Sequence, residues 1–274
     1  MVKILETYRH DFDKAFERLL KKRDKDDKKI DSIVSSIIDK VKNKSDSALL
    51  ELTKKLDKFP ANSIQDLVVK NRELDDSYNL LNNSIKNSLK NAISRISSYH
   101  KKQKPSNLMY KDEYGIKLGG IWNPIESVGL YVPGGTAAYP SSLIMNAVPA
   151  IVAGVDRIAV TVPATEGKIN PLVLACCKML GIHEIYKIGG AQAIAALAIG
   201  TKTIKSVDKI FGPGNAFVAS AKKQFFGTVG IDMIAGPSEI LVMADSKNNP
   251  DHIAIDLLSQ AEHDKNAQSI LVTD

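Results

Sequence analysis

Glu184-Ile-Tyr-Lys-Ile-Gly-Gly-Ala-Gln-Ala-Ile-Ala-Ala-Leu-Ala-Ile199 decides the fold class. Its first five residues are rich in aromatic and β-branched side chains and read as a strand. Gly189-Gly190 punctuate it, and the Ala-rich run from Ala191 to Ile199 reads as a helix. The same unit recurs on both sides. Upstream, Val128-Gly-Leu-Tyr-Val132 is a strand followed by a helix over Ser141 to Ala153. Ile158-Ala-Val-Thr-Val162 is a strand followed by a helix from Pro171 to Leu180. Downstream, Val207-Asp-Lys-Ile-Phe211 leads into a helix from Asn215 to Phe226. Glu239-Ile-Leu-Val-Met243 and Ser269-Ile-Leu-Val-Thr273 bracket a helix from Pro250 to about His263. Strands separated by helices of this length join by right-handed crossovers into a mostly parallel sheet. The class is α/β, with a mostly parallel sheet and crossover helices.

Before this region the texture is helical and polar. Ile33, Val34, Ile37, Ile38 and Val41 recur at helical spacing, and Leu49, Leu50, Leu52 and Leu56 continue the stripe after Ser45-Asp46. One long helix is expected from Leu74 to about Lys102, closed by Pro105. The net charge of +6 invites a nucleic-acid partner, but its distribution argues against one. Residues 1–104 hold 24 Lys+Arg against 16 Asp+Glu, and residues 105–274 hold 13 against 15. The excess is interleaved with acids, as in Lys21-Lys-Arg-Asp-Lys-Asp-Asp-Lys-Lys29, and mixed signs offer no uniform field to a phosphate backbone. No nucleic-acid partner is expected.

No apolar run approaches the roughly 18 residues that would cross a bilayer, and the first residues lack a secretory apolar core. No membrane association is expected. The two cysteines, Cys176 and Cys177, are neighbours on a helix and unsuited to bridging, which points to a reducing cytoplasm. They read as packing residues.

In parallel sheets ligands bind beyond the carboxyl ends of the strands, so four loops carry the interest. Tyr131-Val-Pro-Gly-Gly135 leaves a strand with two glycines that admit close approach; it reads either as a ligand loop or as a tight turn. Gln192 follows Gly189-Gly190 in a first helical turn, where free N–H groups favour polar or anionic ligands; a glycine-punctuated helix start is the competing reading. Phe211-Gly-Pro-Gly-Asn215 lies where a dinucleotide fingerprint would lie, but Phe217 stands at its third glycine position. Ser238 in Ala235-Gly-Pro-Ser-Glu239 is a substrate-orienting hydroxyl or a turn serine, without the elbow that would make it a nucleophile. Asn249-Pro250 starts the last helix as cap and first residue, and Gln260 and His263 stand one turn apart at its end. Histidine is a common metal ligand and glutamine an uncommon one, and two ligands fall short of the three or so that a catalytic site needs.

Taken together, Tyr131 to Gly135, Gly189 to Gln192, Ile210 to Asn215, Asp232 to Glu239 and Leu258 to His263 resemble the histidinol dehydrogenase family. The resemblance implies zinc-dependent oxidation of L-histidinol to L-histidine through histidinaldehyde, with two NAD consumed, in the last steps of histidine biosynthesis. It implies that Tyr131, Gln192 and Asn215 contact NAD. It implies that Ser238, Gln260 and His263 contact histidinol, and that Gln260 and His263 also bind the one zinc ion per subunit. A cytoplasmic homodimer is the implied assembly. By the same likeness residues 1–128 would start the first domain, 129–239 would be the Rossmann-like NAD domain, and 240–274 would return to the first. The family's Glu-His acid/base pair and its remaining zinc ligands have no counterpart before Asp274, so no catalytic residue is assigned and this chain alone is expected to be inactive. The alternative is a natural short form that binds NAD or a partner without turnover.

Overall fold

The computed structural model of the chain describes residues 3–134, 140–234, 239–262 and 267–274, with the backbone alone at 21–27. It divides into two compact units, Met1–Ile234 and Ala235–Asp274. The first opens with α1 (Phe12–Lys44), α2 (Asp46–Leu56), α3 (Asn71–Leu80) and α4 (Asn83–Gln103). A hairpin of β1 (Leu108–Lys111) and β2 (Lys117–Gly120) follows. The strand–helix alternation then runs β3 (Ser127–Tyr131), α5 (Pro140–Ala153), β4 (Arg157–Thr161), α6 (Pro171–Met179), β5 (Glu184–Tyr186), α7 (Gly190–Ile199), β6 (Lys209–Phe211), α8 (Ala216–Phe225) and β7 (Gly230–Ile231).

The sheet order is β5-β4-β3-β6-β7 with every pairing parallel, as the alternation in the sequence predicts. The order reverses between β3 and β6, so these neighbours leave the sheet toward opposite sides and open a crevice at their carboxyl ends. Side chains alternate along each strand, and the two faces feed two separate cores. Val128, Leu130, Val160 and Ile185 pack under α5 and α6, with Leu74 of α3 in the same cluster. Tyr131, Ala159, Tyr186 and Ile210 face the other way, among residues of α7, α8, α1 and α2. The N-terminal helices thus supply outer cover to both faces of the sheet. Val68 bridges to Tyr186 in antiparallel sense, and the Leu67 carbonyl accepts the Lys187 N–H at 2.7 Å, which covers the β5 edge.

At the amino ends of the strands, Arg157 forks onto both oxygens of Glu184 at 2.7 and 2.8 Å. It also donates to the carbonyls of Lys205 and Ser206 at 2.7 and 2.8 Å. One planar guanidinium therefore ties β4, β5 and the approach to β6 together.

Two features depart from the expected elements. The helix expected from Leu74 to Lys102 is two helices, because Leu81 turns extended and Asn82 caps α4 by accepting the Ile85 N–H at 2.9 Å. The β1–β2 hairpin is an addition to the expected elements; both strands are exposed throughout and show no inward and outward alternation. The last helix runs from Pro250 to Ala261, within two residues of its expected bounds.

The second unit is a single crossover: β8 (Glu239–Ala244), α9 (Pro250–Ala261) and β9 (Gln268–Thr273), with the two strands parallel. Asn249 caps α9 through the Asp251 N–H at 2.9 Å with Pro250 as its first residue, as its sequence predicts.

Candidate functional site

Tyr131 ends β3 at the sheet's point of reversal and is 4% exposed. Its hydroxyl oxygen accepts the Gly190 N–H at 3.2 Å, which ties the end of β3 to the start of α7. Burial pushes the Tyr131 hydroxyl up to about 12, so it keeps its proton at any physiological pH.

Gln192 lies in the first turn of α7 and is 1% exposed. Its Nε2 donates to Asp57 Oδ2 at 3.3 Å, and the same oxygen accepts the Gly189 N–H at 3.2 Å. Gln192 Oε1 is buried and has no partner among the described residues. The glycines are required here. A Cβ on Gly189 would stand 2.7 Å from Pro163 Cγ and 2.9 Å from Asp57 Oδ1, and Gly190 has φ +62°. Burial raises the pKa of Asp57 against the two hydrogen bonds that lower it. Sequence reasoning missed Asp57, which sits between Lys54-Lys55 and Lys58 and looks like one more solvated charge.

The third loop closes on the same strand end. Gly212 has φ +118°, and a Cβ there would collide with the Tyr131 carbonyl oxygen. Its N–H donates to Asp232 Oδ2 at 2.9 Å, and its carbonyl accepts from Lys222 Nζ at 3.0 Å. Lys222, 3% exposed on α8, is ion-paired with the partly exposed Asp232, so one ion pair holds both the N–H and the carbonyl of Gly212. No pattern in the sequence singles out Lys222. Asn215 caps α8, with Oδ1 accepting the N–H groups of Phe217 and Val218 at 3.1 and 3.2 Å. Part of the anion-binding capacity of that helix start is therefore spent on the chain itself. Tyr131 touches both other loops, through Gly190 on one side and Gly212 on the other.

In the second unit Gln260 occupies the last turn of α9, and its Oε1 is buried without a partner among the described residues. Ser238 and His263 lie outside the described residues. No group of three or more His, Cys, Asp and Glu able to hold a metal occurs among the described residues. Cys176 and Cys177 are free and fully buried, and burial pushes Cys176 up to about 12, so both are thiols in the core.

A parallel sheet ordered β5-β4-β3-β6-β7, helices on both faces and glycine loops meeting where the order reverses define a doubly wound α/β protein of the Rossmann type. The model of the histidinol dehydrogenase family matches residues 20–274, and the chain belongs to that family. It is 52% identical over 270 residues to a histidinol dehydrogenase of Rhodospirillum rubrum, covering 98% of this chain and 62% of the relative. Against a histidinol dehydrogenase of Brucella abortus it is 51% identical over 273 residues, covering 100% of this chain and 63% of the relative. A crystal structure of histidinol dehydrogenase from Elizabethkingia anophelis superposes with a TM-score of 0.77 at 40% identity, covering 88% of this chain and 56% of that one. The chain thus spans just over three fifths of the length of these curated relatives.

Proposed function

We propose that this chain carries the NAD site and part of the substrate and zinc site of an enzyme that oxidises L-histidinol to L-histidine through histidinaldehyde. Tyr131, Gln192 and Asn215 hold NAD. The observation that supports this reading is Gln192 Oε1, a buried acceptor left without a partner at the start of α7, where a ligand donor would satisfy it. NAD supplies the hydride acceptor for each of the two oxidations. Tyr131 contributes a protonated hydroxyl, and the Lys222–Asp232 pair holds the Gly212 peptide rigid beneath the same crevice.

Ser238, Gln260 and His263 contact histidinol, and Gln260 and His263 hold zinc. The orphaned Gln260 Oε1 fits a neutral oxygen donor waiting for a cation. Held there, zinc would supply Lewis-acid chemistry to the substrate. In this reading residues 129–239 form the NAD domain, 240–274 rejoin the domain begun by 1–128, and the enzyme is a cytoplasmic homodimer. The acid/base work falls to none of the residues named, and we expect this polypeptide alone to reduce no NAD when histidinol and zinc are supplied. Appearance of NADH would overturn that expectation.

The cofactor reading is tested by titrating the purified chain with NAD in a calorimeter. Saturable binding should weaken about tenfold in Gln192→Ala, the loss expected for one buried hydrogen bond. No heat from the unmodified chain at millimolar NAD would sink the reading.

A further inference from the structure

Asp57 plays no part in the reading above, yet it decides what Gln192 offers a ligand. A primary amide has a donor end and an acceptor end, whereas an ionised carboxylate only accepts. Asp57 Oδ2 already takes the Gly189 N–H at 3.2 Å and Gln192 Nε2 at 3.3 Å. With its donor end committed, Gln192 turns Oε1 away from Asp57. That oxygen lies against the glycine turn: a Cβ on Gly190 would stand 2.8 Å from it. It is buried in a side chain 1% exposed, and it is unpartnered among the described residues. A dry acceptor without a donor is costly, so the arrangement favours any ligand that brings one.

We propose that Asp57 is a positioning residue that fixes the polarity of Gln192, so that the start of α7 presents a hydrogen-bond acceptor and selects a ligand bearing a donor at that point. This rests on the reading of Gln192 as an NAD contact. In NAD the donors available are the carboxamide NH2 of the nicotinamide ring, the ribose hydroxyls and the adenine amine. Asp57→Leu keeps the bulk of the side chain but removes the oxygen that takes both bonds, whereas Asp57→Asn can place its one oxygen where Oδ2 stands. In Asp57→Leu Gln192 is free to face either way, and its preference for a ligand donor disappears; in Asp57→Asn it is kept.

The test is a set of calorimetric titrations of the chain with NAD, nicotinic acid adenine dinucleotide and ADP-ribose. The second ligand replaces the carboxamide donor by a carboxylate, and the third keeps both riboses without the ring. If the carboxamide is the donor, the chain prefers NAD over the acid dinucleotide by about tenfold, and Asp57→Leu brings the two within about threefold while leaving ADP-ribose unchanged. If a ribose hydroxyl or the adenine amine is the donor, Asp57→Leu weakens all three ligands by the same factor. In both cases Asp57→Asn keeps the original affinities, because its one oxygen can stand where Oδ2 stands, and Asp57→Leu costs nothing further in a Gln192→Ala background, because it acts through Gln192. A purely structural role predicts weaker binding of all three ligands that adds to the loss in Gln192→Ala; that outcome overturns the proposal. Unchanged affinities in Asp57→Leu overturn it as well, while leaving the cofactor reading intact. If the unmodified chain binds no NAD, the cofactor reading fails and the inference fails with it.

Discussion

The fold disfavours the charged form of Asp57. Burial raises its pKa in the folded state above that of the solvated unfolded chain, in spite of the Gly189 N–H and the Gln192 amide that it accepts. Between those two pKa values the folded state holds a proton that the unfolded chain has already released, so this residue's contribution falls as pH rises through the interval. Asp57→Asn removes the slope. The variant should unfold at higher urea than the unmodified chain at pH 7, and the two midpoints should converge below about pH 4, where an unfolded aspartic acid is itself protonated. Midpoints that track each other across the whole range would show that Asp57 carries no such penalty. Asp46 has the opposite sign. Burial works against its charge, but hydrogen bonds from Thr201 and Thr203 hold its pKa below the usual value, so its contribution is present at neutral pH and lost on acidification. A residue that costs stability and grips a candidate ligand side chain fits the common trade between stability and function. Gly212 belongs to the same scale. Its φ of +118° disfavours any side chain, and the Tyr131 carbonyl occupies the space a Cβ would need. Gly212→Ala should cost about 3 kcal/mol, read as a lower urea midpoint with an unchanged slope.

At the scale of elements, the repeated strand–helix units are legible because β3 to β6 are short apolar runs closed by glycine or proline, and the helices between them have usable starts. Boundaries shift by only a residue or two, as with Ser127–Tyr131 against the expected 128–132. The break between α3 and α4 is hidden, because the apolar stripe of Leu80, Leu81, Ile85 and Leu89 runs through it at helical spacing. A side-chain cap decides that break, which periodicity does not register. Asn82→Ala should therefore cost about 1 kcal/mol, seen as a lower urea midpoint; an unchanged midpoint would mean that packing alone sets the break. The β1–β2 hairpin escapes for another reason. Its turn is announced by Asp112, whose Oδ1 accepts the N–H groups of Tyr114 and Ile116, and by Gly115 at φ +81°. Its strands, however, carry no alternation to confirm them. In the candidate site, Tyr131, Gln192 and Asn215 stand out because glycines precede or follow them at strand ends. Asp57 and Lys222 act only through partners 132 and 10 residues away in sequence, which a local pattern does not carry.

At the scale of the whole molecule, the two compact units are unequal in what they bury. The first has two apolar cores, one on each side of a five-stranded sheet. The second is one crossover on two strands, with Leu241 56%, Met243 76%, Ile255 65% and Leu258 63% exposed. A two-stranded sheet with so much apolar surface in water is marginal, so its backbone should open more readily than the strands of the first unit. Hydrogen exchange should show this directly: amides of β8, α9 and β9 exchange faster than those of β3 and β4. Gln260 sits on that weaker unit, so a cation held there would add its binding free energy to local order. Zinc should slow exchange in α9 while leaving β3 and β4 unchanged, and His263→Ala should remove the effect. Slowing spread evenly over both units, or slowing that survives His263→Ala, would show that zinc acts elsewhere and would end the assignment of Gln260 and His263 as its ligands.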